Sequence, residues 1–226
     1  MDRFTQLRKE TSQFQTQLRD LLTKPTDYST SIQACLTQHA RLHSSQITQD
    51  SPLNSLEDLL LDNLDEKTFR HIPANQEHSI AWNLWHMARI EDCTMNTLVA
   101  GTPTIFEKQQ WKEKFNFPFT DTGNNMPPNQ IIVLSETIDL SALRTYRQMV
   151  ALQTRTIIKN LTPEDLKQKV QPDRSSSLLS NGCVRKEAQS LIDYWRKRTT
   201  AGLLLMPATR HNLVHLNEIY QLKHKK

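Results

Sequence analysis

The sequence predicts an all-α protein, most economically a four-helix bundle with additional short helices and one long crossover loop. Three observations carry this reading. Apolar residues recur at helical spacing over several long stretches, and no stretch alternates convincingly as a strand would. Only 4 of the 226 residues are Gly, where average usage of about 7% would supply roughly 16. So few glycines disfavour tight-hairpin β folds and Gly-rich phosphate loops.

Taken in order, residues 3–23 carry Phe4, Leu7, Phe14, Leu18, Leu21 and Leu22 at mostly helical spacing, and Pro25 ends that helix. We treat 1–27 as an N-terminal amphipathic helix and 28–226 as the main domain. A second periodic stretch runs over 28–47, with Ile32, Cys35, Leu36, His39, Leu42 and His43 on one face. Residues 52–74 are mixed, with a short helix near 53–64. A long helix follows over 79–100, with Ser79 as N-cap and Gly101 as terminator. Residues 101–134 show no clean periodicity but hold Phe106, Trp111, Phe115, Phe117 and Phe119, so this crossover must pack on something. Another helix spans 139–160, with Ser141 a candidate cap. Pro163, Pro172 and Asn181-Gly182 break up 161–183, and two helical stretches, 184–200 and 203–224, follow.

Composition bounds the partners. The net charge is +4, concentrated in Arg196-Lys197-Arg198 and in Lys223 to Lys226, where cations suit helix ends better than DNA. No nucleic-acid partner is expected. Cys35, Cys93 and Cys183 are odd in number and form no CxxC, which fits a reducing cytoplasm and argues against a Cys-ligated zinc site. The N-terminus shows no apolar signal region, and the run Leu203-Leu204-Leu205-Met206 is too short to span a bilayer.

Histidine placement is the strongest chemical clue. His39/His43 and His211/His215 are both i,i+4 pairs, where random placement predicts roughly a quarter of one such pair. Four residues of helix bring both rings to one face a turn apart, as a shared metal needs. His211 and His215 share a stripe with Leu204, Pro207, Ala208, Val214, Glu218 and Leu222. Two imidazoles and a carboxylate on an apolar stripe need partners, whether a metal or a hydrogen-bond network. Spacing alone does not choose between the two His pairs, and the first is equally a core feature. The 79–100 helix is apolar nearly all round, hence central, and carries His86 as a candidate buried ligand. Arg89 and Glu91 are candidate acid/base or ligand-supporting residues, with an internal salt bridge as the alternative. No ExxH, HExxH, GxSxG or Walker A pattern occurs.

The segment Ser79-Ile80-Ala81-Trp82-Asn83-Leu84-Trp85-His86-Met87-Ala88-Arg89-Ile90-Glu91-Asp92 resembles the hallmark helix of the DinB-like superfamily of metalloproteins. Asp121-Thr122-Gly123-Asn124 and the run from Pro207 to Glu218 resemble one subgroup of it, the likeness covering about residue 30 onward. The resemblance implies a four-helix bundle in which His86, His211 and His215 bind a divalent metal with a position left open for water or substrate. Zn, Ni, Fe, Mn and Cu are not distinguished by such ligands. It also implies use of a bacterial low-molecular-weight thiol such as bacillithiol, in transfer to a small-molecule electrophile during detoxification or stress response. Arg210, Trp85 and His43 are the expected thiol or pocket contacts, Glu91 and Arg89 the expected catalytic pair, and a cytoplasmic homodimer the expected assembly. Metal binding without turnover is the alternative.

Overall fold

The computed structural model describes residues 1–24, 27–74, 78–115 and 118–224. Pro25, Phe117 and the last two lysines, which entered the sequence reading, lie outside them. The chain is all-α. Its helices are α1 (Arg3–Thr23), α2 (Tyr28–Leu42), α3 (Leu56–Leu61), α4 (Glu66–Arg70), α5 (Ile80–Asp92), α6 (Ile105–Lys108), α7 (Trp111–Phe115), α8 (Pro128–Thr137), α9 (Leu140–Asn160), α10 (Pro172–Ser180), α11 (Gln189–Arg196), α12 (Thr200–Leu205) and α13 (His211–His224). Among the described residues the only β feature is an isolated bridge between Lys169 and Thr199.

Helix α5 is the centre of the molecule. Ser79 caps it, its hydroxyl accepting from the Trp82 amide, and every residue from Ile80 to Asp92 is buried. It packs on α9, α13 and α8, while α1 packs on α2 and α12. Phe4 and Leu7 of α1 belong to the same core as Trp85, Tyr146 and Leu216, so the N-terminal helix shares the main core.

Several elements differ from the sequence reading, each for a local reason. The second helix stops at Leu42, where His43 turns extended; Ser44 then starts a short 3-10 turn. The cap of α9 is Asp139, whose carboxylate accepts from the Ala142 amide, while Ser141 lies inside the helix. The aperiodic crossover contains α6, α7 and part of α8, pieces too short to show a period. Phe106, Trp111 and Phe115 are buried: Phe106 and Phe115 lie 5.8 and 5.7 Å from the Trp85 ring, and Trp111 lies 5.3 Å from Tyr146.

The two long helices around the site each change pitch. Helix α5 continues as a π-helix, Cys93–Ala100, closed by Gly101 at φ 67°. The last helix is divided by a π-helical turn, Met206–Arg210, between α12 and α13. Pro207 has no amide hydrogen to continue the ladder. The Thr209 hydroxyl donates to the carbonyls of Leu204 and Leu205, meeting backbone demand that the changed pitch leaves. A π turn is wider than an α turn, so a constant 100° per residue carried from Leu204 to His215 loses phase. Within α13 the buried residues are Asn212, Leu213, Leu216 and Ile219, so the face bearing His211 and His215 borders solvent, and Val214 at its edge is 43% exposed.

Candidate metal centre

Two helices bring three imidazoles together. His86 extends from the middle of α5, and His211 and His215 occupy the first turns of α13. The Nε2 atoms of His86 and His211 are 3.1 Å apart, as are those of His211 and His215. His86 is buried and the other two half-buried, so the cluster lies just under the surface.

The opposite ring nitrogens decide what those Nε2 atoms can do. His86 Nδ1 lies 2.6 Å from the Thr122 carbonyl oxygen, which only accepts, so Nδ1 carries the proton. His215 Nδ1 faces Asn83 Oδ1 and Glu218 Oε2, both at 2.8 Å. The Asn83 amide nitrogen is occupied in donating to the Ser79 carbonyl, which fixes its oxygen toward the ring. Both rings therefore present a bare Nε2 lone pair. His211 can donate one proton to one neighbour at most, leaving another lone pair opposed. Burial pushes the His86 pKa down to about 3. Burial, reinforced by the two neighbouring rings, holds His211 well below the ordinary imidazole range. The site is a set of imidazole nitrogens converging on one point, with acceptors behind two of the rings, the arrangement of a metal-binding histidine cluster.

The distances agree. Nitrogens bonded at about 2.0–2.1 Å to one ion are about 2.8–3.4 Å apart, from octahedral to tetrahedral geometry. The donor set present can hold a divalent metal ion.

The backing group for His86 depends on one glycine. Gly123 has φ 81°, and a Cβ there would lie 3.0 Å from Trp82 Nε1. Glycine thus lets the 121–124 loop lie against Trp82 while Thr122 reaches His86. The Trp82 ring stacks on His86 at 4.5 Å and on His78 at 3.5 Å, walling one side. The sequence singled out the run 121–124 without a role for Thr122, because Thr122 acts through its backbone carbonyl, which any residue type would supply.

The other expected site residues make the following contacts. Arg89 is buried and donates to Asp92, the Tyr146 hydroxyl and the Thr120 carbonyl. Glu91 is buried against His39 Nε2 at 2.9 Å and His43 Nε2 at 3.0 Å, and accepts from Asn212 Nδ2 at 2.9 Å. For both residues the internal ion pair describes what the structure shows. Burial alone would raise the Glu91 pKa, but the His43 and His39 rings outweigh it and hold it well below the carboxylate range. Trp85, expected as a cofactor contact, is fully buried and donates to the Asp121 carbonyl. His43 is likewise buried, its pKa pushed down to about 3 chiefly by burial. Arg210 is exposed and lines a cleft of about 740 Å³ together with Arg8, Arg19, Arg198 and Glu218.

An all-helical chain with a histidine cluster at the junction of its central and last long helices is a candidate helical metalloprotein. The model of the DinB superfamily matches residues 55–219, and the chain belongs to that superfamily. The match holds His86, His211 and His215 and begins after α2, which carries His39. The chain matches none of the curated proteins. No described helix is long and apolar enough to cross a membrane.

Proposed function

We propose that the protein is a metal-dependent thiol S-transferase on a DinB-like four-helix bundle. In this reading the bundle is formed by α2, α5 with its π extension, α9 and the α12–α13 helix. The observation that carries the proposal is the convergence of three Nε2 atoms with His86 and His215 held as Nδ1–H tautomers. His86, His211 and His215 would hold a divalent cation. Bound there, the ion would lower the pKa of a coordinated thiol toward the reactive thiolate.

The chain's own groups account for the remaining requirements. Thr122 and Asn83 orient the ligand rings, and Trp82 shields one side of His86. Arg8, Arg19, Arg198 and Arg210 offer cationic contacts for carboxylates of a thiol such as bacillithiol. That cleft adjoins the site, because Glu218 lines it and also hydrogen-bonds His215. The second substrate is a small-molecule electrophile. A cytoplasmic homodimer completes the reading.

Conjugation of a fluorogenic electrophile by bacillithiol tests it. The rate should vanish in His86→Ala; a full rate in that variant would end the proposal. Metal binding without turnover is favoured by one observation: the hydrogen bonds of Arg89 and Glu91 are all made inside the core, none to the three histidines. That reading predicts bound metal and no conjugation.

A further inference from the structure

We propose that His39, His43 and Glu91 form a second site for a divalent transition-metal cation, closed to solvent, that ties α2 to α5. It uses none of the three histidines of the first cluster. His39 and His43 are one turn apart on α2 and its C-cap, with their rings stacked at 4.1 Å. Glu91 faces them from α5. His39 Nε2 lies 2.9 Å from Glu91 Oε1, and His43 Nε2 lies 3.0 Å from Oε2. All three side chains are between 0 and 2% exposed.

Hydrogen bonding alone leaves this cluster unsatisfied. Neither nitrogen of His43 has a hydrogen-bond partner, and the contact with Oε2 is close but misaligned. A neutral imidazole carries one N–H in either tautomer, so His43 buries an unsatisfied donor either way. Glu57 Oε2 lies 4.0 Å from its Nδ1, too far for a hydrogen bond. His39 Nδ1 is also buried without a partner. An unsatisfied buried polar group costs about 1–3 kcal/mol.

A cation between the two Nε2 atoms and the carboxylate gives the His43 Nε2 lone pair the partner that hydrogen bonding denies it. It takes the His43 Nε2 lone pair in the direction where a hydrogen bond is poorly aligned. The nitrogen–oxygen separations fall within the about 2.8–3.4 Å expected of neighbouring donors on one ion. The carboxylate also has an outer partner of the kind ligands have, since Asn212 donates to Glu91 Oε2. Two imidazoles and a carboxylate suit Zn, Fe or Mn rather than Ca or Mg. Because the ligands are sealed in the core, the ion enters as the chain folds, and its role is structural.

The test is the metal content of untagged full-length protein expressed in zinc-supplemented medium. Wild type is compared with His86→Ala/His215→Ala, which removes the first cluster. About two ions per chain in wild type, and about one retained in the double variant, are expected. Adding Glu91→Gln or His43→Gln to the double variant should remove that ion. One ion in wild type and none in the folded double variant would overturn the second site while leaving the first intact. If the added substitutions prevent folding, X-ray absorption on the double variant decides: two imidazole ligands support the site, and oxygen ligands alone overturn it. If the double variant itself does not fold, the wild-type count decides, two ions supporting the site and fewer overturning it.

Discussion

Replacing Asn83 tests whether the groups behind the histidines serve metal binding. Asn83 is buried and accepts from His215 Nδ1 at 2.8 Å, while Glu218 Oε2 accepts from the same nitrogen. Losing an outer partner of a metal-bound histidine typically lowers affinity about 10–100-fold. Glu218 remains in Asn83→Ala, but its side chain is 47% exposed and competes with water. The single variant should therefore sit near the low end, about tenfold, or about 1.4 kcal/mol. Asn83→Ala/Glu218→Ala leaves the ring free to turn and should lose about a hundredfold. Zinc affinity by competition with a chromophoric chelator reads both, at a pH where the free rings are neutral. Unchanged affinity in the double variant would refute the claim that these groups hold His215 for a metal.

Three further outcomes follow from the geometry. Asp92 accepts from the Tyr146 hydroxyl at 2.6 Å, from Arg89 and from the amides of Ile105 and Phe106, so Asp92→Ala should destabilise by about 3–5 kcal/mol; urea denaturation would show this, and a change below 1 kcal/mol, about the size of an exposed pair, would contradict it. Thr209→Val removes the donor to the Leu204 and Leu205 carbonyls and should cost about 1–3 kcal/mol, read as a lower midpoint in the same assay. Acid should destabilise the metal-free protein. His43 and His86 are held near pKa 3 when folded, against an ordinary value of 6.5. The unfolded chain therefore binds their protons first. Their contribution is intact above about pH 6.5 and declines as pH falls toward 3, by up to about 1.4 kcal/mol per unit per ring. A flat urea midpoint from pH 7 to 5 would contradict it.

The parts of the site legible in the sequence were those set by side-chain identity within a regular helix. Ser79 as cap, the buried faces of α5 and the i,i+4 spacing of His211 and His215 all follow from periodicity and side-chain chemistry. Joining His86 to that pair needed the family resemblance, because no spacing rule links residues 125 positions apart. Thr122 was hidden because a carbonyl has no sequence signature. The exposure of Val214 was misread because it lies at the edge of the His211/His215 stripe, while α13 buries Asn212, Leu213, Leu216 and Ile219. Glu91 was legible as a buried carboxylate on a central helix. Its partners were not, because His39 and His43 lie on another helix, and an i,i+4 pair reads alike in a core and in a metal site.

The central claim is that His86, His211 and His215 hold one metal ion. Its most direct test is the difference in metal content between untagged wild type and His211→Ala/His215→Ala, measured by mass spectrometry on folded protein. The account predicts that the variant holds one ion per chain fewer than wild type. Equal content in the two proteins, whatever its absolute value, would contradict it.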